Sequence, residues 1–230
     1  MQKQILLIGD SIRMGYDMYV KESMRDLAQV GFPKENCRNT SYVLRELHNW
    51  KSELHMDDCD AVHFNVGHWD TIRIYGDEPL TRLDVYAENL TRIVKRMRFL
   101  FPNALLIFAT STPILENGYI KEFEYRSNCD VETYNEIAVR TLMPLGVQIN
   151  DLYELLKNRP ELHSDQSHYY TPDAVKLIGG QVSACLCNAL GLDQTQLLQP
   201  DPQCNSNTKL KNDNEMYIKR GNYYELVQGQ

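Results

Sequence analysis

Short segments with a strand pattern alternate with amphipathic segments along most of this chain, and this alternation constrains the fold more than any other feature. The strand patterns cover residues 4–8, 60–67, 104–109 and 147–149, and the apolar run of the first is typical of a strand that is buried on both faces. Helical patterns cover residues 14–30, 41–55, 81–100, 131–145 and 171–191. The alternation predicts an α/β protein with a central parallel sheet, whose ligands bind at the carboxyl ends of the strands.

Capping signals predict where three of these helices begin or end. Thr81 is followed three residues later by Asp84, which resembles a capping box at the start of the third helix. Thr171 stands directly before a proline, so we expect it to be the N-cap of the last helix. Gly146 and Gly191 follow helical patterns and are expected to end them.

Charge and composition exclude several classes of protein. The net charge of -7 repels a phosphate backbone, and no basic patch offsets it, so we expect no nucleic-acid partner. The first apolar run is too short for a signal peptide and no run reaches membrane-spanning length, so we expect a cytoplasmic protein without a membrane partner. The six cysteines lack CxxC spacing and are expected to be free thiols.

The chain is long enough for one sizeable domain, which we expect over residues 1–192. Residues 193–230 are expected to form a C-terminal extension, because the segment 199–215 is polar and rich in turn-forming residues. The stretch MYIKRGNYYELV, residues 216–227, is compatible with a β-hairpin or with a frayed tail. Whether the chain forms a homo-oligomer stays open.

Ser11 lies where the first apolar run ends and a helix begins. Its backbone N–H is then close to a positive helix end while its hydroxyl faces the crevice. A serine becomes nucleophilic only with a base, and the base needs a third group to fix its tautomer. Asp165 and His168 lie three residues apart just before the last helix, on a loop predicted to face the same rim as Ser11.

Three motifs that span most of residues 4–191 resemble those of the SGNH (GDSL) hydrolases: Gly9-Asp10-Ser11, Gly67-His68-Trp69-Asp70 and Asp165-Gln-Ser-His168. The resemblance implies a flavodoxin-like three-layer α/β/α sandwich and a serine esterase without a cofactor. It also implies that Ser11 attacks, His168 is the base and Asp165 orients it. The N–H groups of Ser11 and Gly67 would then bind the oxyanion.

The motifs depart from the family pattern in two places. Trp69 stands where the family has an oxyanion-binding asparagine, and Asn65, two residues before Gly67, is the candidate substitute. The family's second motif supplies a glycine N–H, but the corresponding residues 33–47 contain no glycine. Candidate donors in that stretch are Asn36, Arg38 and Asn39.

The stretches ENCR, NVGHWD and ATSTP resemble a bacterial subgroup of this family that includes carbohydrate acetylesterases. We therefore expect a small acyl-ester substrate, with acetylated sugars as candidates. Aromatic residues near the predicted rim could stack on a sugar or simply pack in the core. The expected pocket residues are Asp10, Arg38, Asn39, Trp69 and Tyr169, and Tyr170 is a further aromatic at the rim.

Two other hypotheses use the same residues. A metal-dependent hydrolase could draw ligands from two clusters, which are His163, Asp165 and His168, and His63, His68 and Asp70. A non-catalytic sugar-binding module could keep the fold after losing the oxyanion donors. Loss of activity on chelation would favour the first, and binding of a sugar ester without turnover would favour the second.

Overall fold

Seven strands, six α-helices and four short 3₁₀ helices make up the regular structure of residues 2–117, 119 and 123–205, which the computed structural model describes. The strands are β1 (Lys3–Ile8), β2 (Ala28–Gly31), β3 (Ala61–Phe64), β4 (Arg73–Ile74), β5 (Leu105–Ala109), β6 (Glu124–Tyr125) and β7 (Gln148–Asn150). The helices are α1 (Ser11–Ser23), α2 (Thr40–Leu54), α3 (Leu83–Leu100), α4 (Asn128–Leu142), α5 (Leu152–Leu156) and α6 (Pro172–Leu190).

Five of these strands form one parallel sheet in the order β2-β1-β3-β5-β7. In its register Ile5 pairs with Ala61 and Ile107 pairs with Gln148. A parallel neighbour is reached only through a crossover, so the intervening helices cover the sheet. The predicted α/β class with a central parallel sheet is confirmed.

The two faces of the sheet bury alternate residues of each strand, as the period of two along a strand requires. Leu6 and Ile8 of β1 pack towards α2, α3 and α4, and Ile5 and Leu7 pack towards α1 and α6. All four side chains are fully buried, which explains why this strand reads as a continuous apolar run. The result is the expected three-layer α/β/α sandwich.

The helix predicted over 14–30 is wrong in its second half. Helix α1 ends at Ser23, and β2 begins at Ala28 and pairs with β1. The exposed Gln29 lies between two buried apolar residues, so this edge strand alternates in burial and its letters resemble an amphipathic helix.

The capping box predicted at Thr81 and Asp84 is also wrong. The N-cap of α3 is Arg82, whose side chain makes no capping hydrogen bond. Thr81 is buried instead, and its N–H donates to the Asp70 carbonyl at 3.1 Å. The signals of α6 are confirmed, because Thr171 Oγ1 accepts from Ala174 N–H at 3.3 Å and Gly191 ends the helix with φ +65°. Gly146 ends the 3₁₀ turn Met143–Leu145, which follows the end of α4 at Leu142.

The chain continues along the domain beyond residue 192. The Ser23 hydroxyl donates to the Leu198 carbonyl oxygen at 2.9 Å. The Leu198 N–H donates to the Ser23 carbonyl oxygen, also at 2.9 Å. Leu192 and Leu197 pack against the apolar cluster under α1 and α6. The segment predicted to form a hairpin, 216–227, lies outside the described residues. Among the helices that are described, none has the length and apolar character needed to cross a membrane.

Candidate active site

The Gly-Asp-Ser motif forms the tight connection between β1 and α1. Asp10 is the N-cap of α1, and its Oδ1 accepts from the Ile12 N–H at 2.9 Å. A Cβ atom on Gly9 would lie 2.0 Å from Asn65 Oδ1 and 2.6 Å from Arg13 Cβ. Only glycine fits this contact, and the turn leaves Ser11 as the first residue of the helix.

Ser11, His168 and Asp165 form one chain of hydrogen bonds. The Ser11 Oγ lies 2.9 Å from His168 Nε2, and His168 Nδ1 lies 2.8 Å from Asp165 Oδ2. Because a carboxylate only accepts, His168 carries its proton on Nδ1, and Nε2 is left to accept the Ser11 hydroxyl. The structure thus places three residues from opposite ends of the chain in the order that nucleophilic catalysis requires.

The Asp165 carboxylate is held in its ionised form. Burial raises its pKa, but the hydrogen bond and charge of His168 and two backbone N–H donors outweigh burial and lower the pKa to about 2. Those donors are the N–H groups of Ser167 and His168, each 2.8 Å from Oδ1. Ser164 closes the same turn, because its N–H and hydroxyl both donate to the His168 carbonyl, at 2.8 and 3.0 Å.

The backbone N–H groups of Ser11 and Gly67 follow the carboxyl ends of β1 and β3, which are neighbouring strands of the sheet. Neither the Ser11 N–H nor the Gly67 N–H donates to another residue within the described part of the chain. Gly67 has φ +156°, and a Cβ there would lie 2.3 Å from Ser111 Oγ. A side chain at this position would therefore be strained and would clash, so glycine is required.

Asn65, the expected third donor, is only 3% exposed. Its Oδ1 faces Gly9, and its side-chain amide lies against the Asp10 carboxylate and lowers the pKa of that group. Burial dominates and raises the Asp10 pKa overall. Asn65 thus supports the turn that carries Ser11 through its contacts with Gly9 and Asp10. Its role as an oxyanion donor stays a prediction.

The loop before α2 holds the other candidate donors. Asn36 Oδ1 accepts from the Arg38 N–H at 2.8 Å, and Asn39 Oδ1 caps α2 by accepting from the Tyr42 N–H at 3.0 Å. Arg38 is exposed with φ +53°, a left-handed conformation that favours glycine. Its guanidinium lies 4.8 Å from the centre of the Tyr42 ring.

Arg13 links this loop to the Ser11 turn, and the sequence analysis missed it. The side chain is 1% exposed and ion-paired with Asp17, one turn along α1. Its Nη2 donates to the carbonyls of Gly9 and Glu35, at 3.3 and 2.6 Å. Burial is the largest influence on Asp17 and raises its pKa to about 6 despite the guanidinium. The sequence feature that could have revealed Arg13 is an Arg and an Asp four residues apart on the first helix, most of whose residues are buried.

Comparison with known proteins supports this architecture through structure alone. No family model matches the chain, and no curated protein matches it. An acetyl xylan esterase has a TM-score of 0.62 at 16% identity, covering 80% of this chain and 99% of its own. A GDSL-like lipase from Bacteroides thetaiotaomicron has a TM-score of 0.64 at 12% identity, covering 81% and 89%. A carbohydrate esterase family 3 protein from Talaromyces cellulolyticus has a TM-score of 0.62 at 17% identity, covering 84% and 100%.

This chain has the SGNH hydrolase fold. At these identities the likeness concerns the fold. Asp70, which ends the central SGNH motif, accepts from both the N–H and the hydroxyl of Thr40, at 3.2 and 2.7 Å. It thereby joins the loop after β3 to the start of α2. Burial raises the pKa of Asp70 to about 6.

The pocket residues expected for this SGNH-fold chain differ in exposure. Trp69 is half-buried on the loop after β3. The expectation for Tyr169 needs correction, because its side chain is 2% exposed and its hydroxyl donates to the Pro113 carbonyl at 3.0 Å. It is Tyr170 that lies on the His168 ring, with centroids 4.7 Å apart. Asp10 is fully buried and supports the turn without lining a surface.

His168 and Asp165 bond each other, and the three other histidines of the two suggested metal clusters contact separate partners. His63 Nε2 lies 3.1 Å from Asn150 Nδ2, and His68 Nε2 lies 3.1 Å from Thr112 Oγ1. His163 contacts the carbonyls of Pro113 and Pro160, each at 3.2 Å. In the chain segments that the structure covers, no group of three or more His, Cys, Asp or Glu side chains is arranged to hold a metal ion.

Proposed function

We propose that this protein is a serine esterase that hydrolyses small acyl esters. The observation that carries the proposal is the unbroken hydrogen-bond chain from Ser11 Oγ through His168 to Asp165, with links of 2.9 and 2.8 Å. The proposal is also supported by the fold, because the similar solved structures include proteins described as esterases and a lipase.

In the acylation step Ser11 Oγ forms a bond to the ester carbonyl carbon and its proton moves to His168 Nε2. The imidazolium that results is stabilised by the Asp165 carboxylate. The tetrahedral intermediate then expels the alcohol, which takes the proton from Nε2. Water then attacks the acyl-serine carbonyl carbon and gives a proton to His168 Nε2. The bond from that carbon to Ser11 Oγ breaks, Oγ takes the proton from Nε2, and the carboxylic acid is released.

The negative charge on the carbonyl oxygen needs donors that are already in place. The N–H groups of Ser11 and Gly67 serve this purpose, and the Ser11 N–H adds the positive end of α1. Loss of one such donor costs about 100- to 1,000-fold in kcat in comparable sites. These two backbone donors do not require the asparagine that Trp69 replaces, and Asn65 is the candidate for the third donor.

Acetylated carbohydrates are the substrates that we propose. Support comes from the half-buried Trp69 on the loop after β3, since an aromatic ring can stack on a sugar face. Further support comes from the similarity to an acetyl xylan esterase and to a carbohydrate esterase.

The test is hydrolysis of 4-nitrophenyl acetate, butyrate and octanoate by the native protein, by Ser11→Ala and by Ser52→Ala. Ser52 is an exposed serine on α2 and serves as the matched control. We expect acetate to be preferred, Ser11→Ala to lose on the order of 10⁶-fold in kcat, and Ser52→Ala to match the native protein. Activity that survives in Ser11→Ala, or that only a chelator abolishes, would overturn the proposal and favour a metal-dependent enzyme. No turnover in any sample would favour a binding module.

A further inference from the structure

Tyr170 contacts both the base and the residue that carries the nucleophile. Its ring lies nearly parallel to the His168 imidazole, with centroids 4.7 Å apart and an angle of 17° between the planes. Its hydroxyl donates to the Ser11 carbonyl oxygen at 3.0 Å. The backbone of Tyr170 is held as well, because its N–H donates to Ser164 Oγ at 3.2 Å.

Helix α1 has a glycine where this ring lies. A Cβ on Gly15 would be 2.8 Å from Tyr170 Cδ1 and 2.9 Å from Cε1. Glycine inside a helix costs about 0.5–1 kcal/mol relative to alanine. The chain therefore carries a residue that weakens α1, and the contact that this residue permits is the one with Tyr170.

The stack restrains a motion of the base that Asp165 leaves free. The hydrogen bond to Asp165 fixes one ring nitrogen of His168, but the ring can still tilt about that bond. A parallel ring against its face opposes the tilt and keeps Nε2 directed at Ser11 Oγ. The face of a phenol ring also carries negative potential, so it favours the imidazolium that forms during acylation.

We propose that Tyr170 is a positioning residue that holds the His168 imidazole against the turn carrying Ser11. The inference rests on the serine-esterase function proposed above. It predicts that removing the ring lowers kcat and leaves KM nearly unchanged, because the interaction aligns reacting groups without binding the substrate.

The experiment compares Tyr170→Leu, Tyr170→Phe, Gly15→Ala and Gly180→Ala with 4-nitrophenyl acetate. Tyr170→Leu removes the ring, and Tyr170→Phe keeps it without the hydroxyl. Gly15→Ala displaces the ring while Tyr170 itself is unchanged. Gly180 is the matched control, because it is a glycine within α6 whose added Cβ would meet no atom within 4 Å.

We expect Tyr170→Leu and Gly15→Ala to lose about 10- to 100-fold in kcat at constant KM, the scale expected for a misplaced catalytic group. Tyr170→Phe should stay within about fivefold of the native kcat, and Gly180→Ala should match it. Circular dichroism at the assay temperature confirms that each variant is folded.

Native kcat in Tyr170→Leu, or equal kcat in Gly15→Ala and Gly180→Ala, would overturn the inference. The two proposals fail differently, because an inactive native protein whose Ser11 resists an organophosphorus fluoride refutes the esterase function itself.

Discussion

Replacing Asp165 by asparagine tests the hydrogen-bond chain at the residue furthest from the substrate. The asparagine Oδ1 can still accept from the N–H groups of Ser167 and His168, which lie 2.8 Å from the Asp165 Oδ1, so the turn is expected to keep its shape. The asparagine NH₂ then replaces the oxygen that faces His168 Nδ1. Because an NH₂ group donates, it requires the Nδ1 lone pair and moves the imidazole proton to Nε2. That proton prevents His168 from accepting the Ser11 hydroxyl.

The expected loss is about 10⁴-fold in kcat, which corresponds to about 5.4 kcal/mol of transition-state stabilisation. The assay is kcat for 4-nitrophenyl acetate at pH 8, with Asp173→Asn as the control. Asp173 lies in the first turn of α6 and loses the same charge away from the Ser11–His168 contact. A kcat for Asp165→Asn within tenfold of the control would refute the assignment of Asp165 as the group that orients the base.

Three further predictions concern stability. Because the pKa of Asp165 is lower in the folded protein, its ionised form stabilises the fold above pH 4. The native protein should therefore exceed Asp165→Asn in free energy of unfolding by an amount that shrinks by about 2 kcal/mol between pH 5 and pH 2. A difference that stays constant with pH in urea titrations would contradict this. Gly9→Ala should lower the Tm by about 2–12 °C through the steric clash, because overpacking costs about 1–3 kcal/mol, whereas Gly180→Ala should not lower it. Arg13→Met should cost about 3–5 kcal/mol by leaving Asp17 buried without its partner, and an additional Asp17→Leu should recover part of that loss in a double-mutant cycle.

The central sheet could be predicted from the sequence because strands that are buried on both faces consist mainly of apolar residues. Strand β2 could not, because it lies at the sheet edge and the exposed Gln29 interrupts its apolar residues. The start of α3 was mispredicted for a different reason. Threonine is a residue type that commonly caps helices, but the backbone N–H of Thr81 bonds the distant Asp70. Such a tertiary contact leaves no signal in the local sequence.

The meeting of Ser11 with His168 was predictable because both follow strand ends at the same edge of the sheet. What the sequence could not supply was side-chain direction. Tyr169 and Tyr170 are adjacent and identical in type, yet one is buried against Pro113 and the other lies on His168. Arg13 was missed because a charged residue on a helix is ordinarily a surface residue, and only the structure shows that it bridges two loops.

The short turn closed by Ser164 and His168 divides the catalytic geometry into a local part and a long-range part. Asp165 and His168 are three residues apart and share this turn, so the orientation of the base survives as long as the turn does. The contact between His168 and Ser11 spans 157 residues and exists only while α1, the sheet and the start of α6 are docked together. On gentle heating, the proposed acyl transfer should therefore stop when that docking loosens, while Asp165 and His168 are still hydrogen-bonded to each other within the turn.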